Sequence, residues 1–165
     1  MANYPQHRRG FDNDTTAPAA QQIKKDDKWV GHAVTGGATP GTIKLAGNDD
    51  EVWGSIAYFD SGQIIINDMG EDVAFKNAGT TAIALGSKIV GATRAVDGTT
   101  THGYVKAFAA AAAAGANTGE RMTNLNAEIN KALKAKGCVV DGGAATNTAG
   151  EDVPADVKVA FNRCA

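Results

Sequence analysis

Few side chains in this sequence could run a nucleophilic or acid–base reaction, and they are scattered. The serines are Ser55, Ser61 and Ser87. None lies in a Gly-x-Ser-x-Gly elbow, and Ser87 directly precedes Lys88 instead of standing three residues before it. Hydrolysis needs a nucleophile, a base and a group that orients the base. The carboxylates Glu51, Asp60, Glu71 and Asp72 fall in turn-like stretches, where acids are expected to be solvated. His7, His32 and His102 lack the spacing of metal ligands. No catalytic residue, cofactor or metal is therefore expected, and the chain does not read as an enzyme.

Two loops resemble binding loops and fail on detail. Gly36–Gly37–Ala38–Thr39–Pro40–Gly41, followed by Thr42, copies the glycine spacing of a phosphate-cradling loop. The lysine such a loop needs before the threonine is missing, and strands follow where a helix is required. Gly47–Asn48–Asp49–Asp50 offers three adjacent oxygen-bearing side chains, without the alternating spacing of a calcium loop. It reads as a solvated turn. Cys138 and Cys164 read as reduced thiols, with a disulfide tying the C-terminal end to the Cys138 strand as the alternative. Asn13–Asp14–Thr15 fits a glycosylation sequon, which matters only on export.

The bulk properties narrow the field. The 165 residues suit one domain with a sizeable core, and 20 glycines with 6% aromatics favour a turn-rich β protein with a Val, Ile, Leu and Ala core. A net charge of −2, and basic residues without interleaved aromatics, argue against a nucleic-acid partner. No apolar run is long enough for a membrane span or a signal-peptide core, so the chain is expected to fold in a cytoplasm or to be exported by a route its sequence does not show.

The elements follow from periodicity. Residues 1–28 show neither a two-residue nor a helical period and read as an extended arm. The arm is either loose or orders on a partner by adding a strand to a sheet edge, with Tyr4, His7, Arg8, Arg9 and Phe11 as anchors. Deleting it should leave a folded protein. Residues 29–108 carry about seven or eight short apolar runs punctuated by Gly, Asn and Asp. These are Trp29–Thr35, Thr42–Ala46, Val52–Phe59, Gln63–Asn67, Asp72–Asn77, Ala82–Leu85, Lys88–Thr93 and Gly103–Phe108, with a turn at Met69–Gly70 and a hairpin tip over Asp97–Thr101. In the third run Ile56 and Tyr58 share a face, and Trp29, Trp53, Tyr58 and Tyr104 are expected in the core.

Residues 109–165 change character. An Ala-rich connector leads to a helix over 119–136, capped by Asn117 with Glu120 and stopped by Gly137. Met122, Leu125, Ile129 and Leu133 form its apolar stripe, expected to pack on the chain's own sheet, or else on a partner. Cys138–Asp141 and Ala155–Phe161 should pair as a hairpin. The predicted fold is mainly β: a small antiparallel barrel or sandwich with an N-terminal arm, one C-terminal amphipathic helix and a short hairpin.

One resemblance bears on function. Gly31–His32–Ala33–Val34, Thr42–Ile43–Lys44–Leu45–Ala46–Gly47, Val52–Trp53–Gly54–Ser55–Ile56, Gly70–Glu71–Asp72–Val73 and Leu85–Gly86–Ser87–Lys88 form a pattern over residues 29–108. It is similar to the small head decoration, or cement, proteins of tailed bacteriophages. The resemblance implies a virion protein assembled in a host cytoplasm. It implies binding to the major capsid protein on the outside of an icosahedral shell, commonly as a homotrimer, and no catalytic residues. The other reading of the same β-rich chain is a tail, fibre or glycan-binding adhesion module.

Overall fold

The computed structural model of the protein describes residues 7–96, 98–142 and 156–161. Its strands are β1 (His7–Asn13), β2 (Ala33–Gly36), β3 (Thr42–Leu45), β4 (Gly54–Asp60), β5 (Gln63–Lys76), β6 (Ile89–Val96), β7 (Thr99–Ala107), β8 (Cys138–Asp141) and β9 (Asp156–Phe161). One helix, α1 (Thr118–Lys134), stands between β7 and β8. The fold is mainly β, as the turn punctuation predicts.

The long strand β5 organises the molecule. Its first half pairs with β4 on one side and β1 on the other, and its second half pairs with β9. Ile64 and Ile66 are buried in the first half, Val73 and Phe75 in the second, so the inward parity switches from even to odd. An irregularity between Gly70 and Val73 supplies the extra residue, and Gly70 holds a φ of 148°. A β-bulge does this: it inserts one residue and bends the strand. The turn expected at Met69–Gly70 is therefore a bend within one continuous strand.

The seven-stranded sheet runs β1-β3-β2-β4-β5-β9-β8. Because β1 also pairs with β5, the pairings among β1, β3, β2, β4 and β5 return to their starting strand. Inside that cycle Ile23, Val34, Ile43, Leu45, Ile56, Ile64 and Ile66 form one apolar cluster. A second cluster gathers Val73, Phe75, Ile89, Val105, Val139, Val157 and Val159, joining the second half of β5, the β8–β9 pair and the two-stranded β6–β7 ribbon. Removing such aliphatic and aromatic area from water supplies the main drive to fold. The C-terminal hairpin is antiparallel, with Val139 opposite Val159, as its alternation predicts.

The N-terminal segment corrects the expectation of an unpacked arm. Asp12 pairs with Thr42 in parallel and Gly10 with Ile65 in antiparallel, so β1 is bonded on both edges. Beyond it Ile23 is buried, and the Asn13 side chain accepts a bond from its N–H at 2.8 Å. The segment lacks a readable period because backbone bonds hold it, with Phe11 adding partial packing.

Other boundaries moved for local reasons. Residues 27–29 form a 3₁₀ turn, so the first core strand starts at Ala33 and not Trp29. Residues 82–85 form no strand: Ile83 is buried and Leu85 is exposed. A register shift between Ile56 and Tyr58 turns Tyr58 outward while Phe59 packs on the core. Trp53 is exposed as well, Trp29 is half-buried, and of the four aromatics only Tyr104 is buried.

Cys138 is disulfide-bonded, and Cys164 is the chain's one other cysteine. This overturns the expectation of reduced thiols.

Candidate functional site

The loops read as near-misses serve as internal fasteners. The buried Asp14 carboxylate accepts bonds from the Thr16 hydroxyl at 2.6 Å, the Thr16 N–H at 2.9 Å and the Ala38 N–H at 2.8 Å. A backbone donor of the Gly36–Gly41 loop thus already holds a carboxylate of this chain. These bonds, Thr16 first and Ala38 second, hold the Asp14 carboxyl below the ordinary carboxylate range. In the acidic turn Asp50 accepts from the Gly47 N–H at 2.8 Å, Asn48 accepts from the Thr93 N–H at 3.1 Å, and Asp49 pairs with Lys106 at 3.0 Å. The turn clips the β6–β7 ribbon to the rest of the chain.

The expected anchor residues separate. Tyr4 lies outside the described residues, and His7 opens β1. The Arg8 guanidinium sits 5.4 Å from the centre of the Tyr58 ring. Arg9 pairs with Asp68 at 3.5 Å, and Phe11 stands 6.3 Å from Trp53, ring centre to ring centre. From Arg8 to Phe11 these groups contact their own fold.

The largest departure is α1. Its cap is as predicted, with the Asn117 side chain accepting from the Glu120 N–H at 2.9 Å. Its apolar stripe is not buried: Met122 is 54% exposed, Leu125 42%, Ile129 47% and Leu133 73%. No residue of α1 is buried. What fixes α1 is polar and lies toward the connector. The Ala111 N–H donates to Glu128 at 3.0 Å, Arg121 Nε donates to the Gly115 carbonyl at 3.0 Å, and Asn124 donates to the Ala114 carbonyl. The Ala111 bond, and then Lys131 beside it at 2.9 Å, hold the Glu128 carboxyl low. Just past the helix, Lys136 and Ile89 exchange backbone bonds at 2.8 and 2.9 Å, tying its exit to the ribbon.

A second feature went unforeseen. A half-open cleft of about 540 Å³ lies between residues 19–32, the end of β5 and the start of β7. Its wall holds a T-shaped aromatic series: Trp29 to His32 at 5.1 Å and His32 to Tyr104 at 5.0 Å between ring centres. Lys24, Lys28 and Lys76 bring positive charge to it, and Thr99, Thr100 and Thr101 bring hydroxyls. In sequence these groups are spread over the expected arm, three separate expected strands and a hairpin tip. Only the folding of residues 19–32 back toward β7 joins them, and no spacing signals that.

No family model matches the chain, and neither a curated protein nor a solved structure shows significant similarity to it.

Proposed function

We propose that the protein is a virion structural protein that decorates the outside of an icosahedral phage head and cements contacts between major capsid subunits. The observation that carries this reading is the exposed stripe Met122, Leu125, Ile129 and Leu133 on a helix none of whose residues is fully buried. Contiguous apolar surface left open on a folded chain marks a place where another surface is meant to sit. Helices that dock through anchors at such spacing are a recurrent mode of recognition.

The rest of the molecule suits the task. The closed cycle of strand pairings suits a small barrel-like body that would hold its shape without a partner. The attachment surface would then be α1 and not the N-terminal segment, since β1 is paired on both edges. The disulfide at Cys138 fits a protein that ends on a particle surface, where the bond closes after release from a reducing cytoplasm. Each copy need bind only moderately, because binding to the assembled shell alone stabilises that form by mass action. Copies associate as trimers, so that each attachment engages several capsid subunits at once.

Mixing the purified chain with particles that lack decoration tests the proposal. Binding should saturate at a fixed number of copies per shell and raise the temperature at which shells open. Absence of saturable binding would refute it. Sedimentation at micromolar concentration should give three times the single-chain mass.

A further inference from the structure

We propose that the cleft between residues 19–32 and the start of β7 is a binding site for an acidic carbohydrate. Its position, away from α1, makes this a function separate from attachment to a shell.

Charge comes first. Among the described residues the cleft is lined by three lysines and by no Asp or Glu, in a chain whose net charge is −2. Two of these three lysines carry an acid partner. Lys76 pairs with Asp156 at 2.5 Å, and Lys28 with Asp26 at 3.5 Å, the latter pair exposed to solvent on both sides. Lys24 and Lys28 are exposed at the rim. Converging charge of one sign over a low-dielectric wall concentrates the opposite ion. The volume lies within the range of small-molecule sites, whose walls are mostly apolar with a few placed polar groups.

The polar groups then select the class of anion. Thr99, Thr100 and Thr101 follow one another along the wall. Gln22 lines it too, but its amide N–H groups donate to the Thr15 and Ala17 carbonyls at 3.1 and 2.8 Å, which leaves its own carbonyl oxygen to accept. Hydroxyls both donate and accept, which suits a partner carrying many hydroxyls. A nucleotide base would instead need an open ring face on which to stack. His32 and Tyr104 are buried, the His32 ring lies edge to face against Trp29, and Lys28 Nζ stands 5.3 Å from the centre of the Trp29 ring. The aromatic series therefore offers an apolar wall with little free face. The Trp29 indole N–H is buried in that wall and has no hydrogen-bond partner among the described residues. An unsatisfied buried donor is costly, so an acceptor entering the cleft gives the ring reason to move toward it.

The test uses the full chain carrying Trp53→Phe, so that fluorescence reports on Trp29 alone. Galacturonate and chondroitin sulfate oligosaccharides are the acidic probes; maltotetraose is the neutral one and ATP the nucleotide. Both acidic probes should give a saturable signal that weakens with salt, and maltotetraose and ATP should give none. The double variant Lys24→Ala/Lys28→Ala should lose about tenfold or more in affinity, as removal of charged partners does. Its melting temperature should not change. Thr100→Val, which keeps the side-chain shape, should weaken acidic sugars by about threefold through one lost hydrogen bond. Equal binding of the neutral sugar, preference for ATP, silence with every probe, or unchanged affinity in the lysine variant would each overturn the proposal. Neither variant should alter binding to shells, so failure here and failure of the decoration reading are told apart.

Discussion

At Asp14 a single carboxylate joins the N-terminal segment to the Gly36–Gly41 loop, through Thr16 on one side and Ala38 on the other. Its carboxyl is held below its ordinary value, so the stability it adds is present above the unfolded-state value and is lost as pH falls through the folded-state one. Asp14→Asn should therefore unfold more readily than wild type at neutral pH. The difference should shrink below the ordinary carboxylate range and close only as pH falls through the lower folded-state value, where the native carboxyl also takes up its proton. Denaturant midpoints measured across the acid range would check this; a constant difference would contradict it. Phe75, fully buried between β9 and the ribbon, sets a second residue-scale expectation. Phe75→Ala should cost about 3–5 kcal/mol in denaturant unfolding. Gly54 gives a third, since a Cβ there would collide with the Asn67 carbonyl on the adjacent strand. Gly54→Ala should destabilise although the site is buried and apolar. None of these three was legible in the sequence, because Ala38, the apolar neighbours of Phe75 and the Asn67 carbonyl each lie far along the chain from the residue they meet.

At the scale of elements, what sequence reading finds and misses follows from what holds each piece. The β8–β9 hairpin and β3 announce themselves because alternating side chains do the packing. By contrast β1 is held through its backbone on both edges, which side-chain periodicity does not encode. Deleting residues 1–28 should thus leave an unfolded chain, not the folded remnant expected from sequence; near-native circular dichroism after truncation would oppose this. The connector shows the opposite conflict. Ala109–Ala114 is ideal helix-forming sequence, yet it is not helical; the Ala111 N–H donates to Glu128, and Asn124 donates to the Ala114 carbonyl, which ties the connector to α1. For α1 the period was legible and the burial was not, since an apolar stripe is the same whether its partner is the parent sheet or another molecule. A helix of 17 residues without packing is marginal by itself. Asn117→Ala should cost about 1 kcal/mol of helix stability. It should lower the helical signal while leaving the denaturant midpoint of the β core in place. Amides of α1 should also exchange with solvent well before those of β5.

At the scale of the whole molecule, one rigid β body carries two surfaces that its own folding does not use: the apolar face of α1 and the lysine-rimmed cleft. The cleft has no sequence signature because residues 24–29 and 99–104 meet only in the fold. Cys138, which opens edge strand β8 just past the helix exit, is disulfide-bonded. Cys138→Ser should lower stability by about 2–4 kcal/mol. The shell contact decides the account. The most direct measurement compares binding isotherms on undecorated heads for the wild-type chain and for Leu125→Lys/Ile129→Lys, two exposed changes that should spare the fold. Saturable wild-type binding that falls by a hundredfold or so in the variant, at equal melting temperature, is the predicted result. Equal isotherms for the two chains would contradict it.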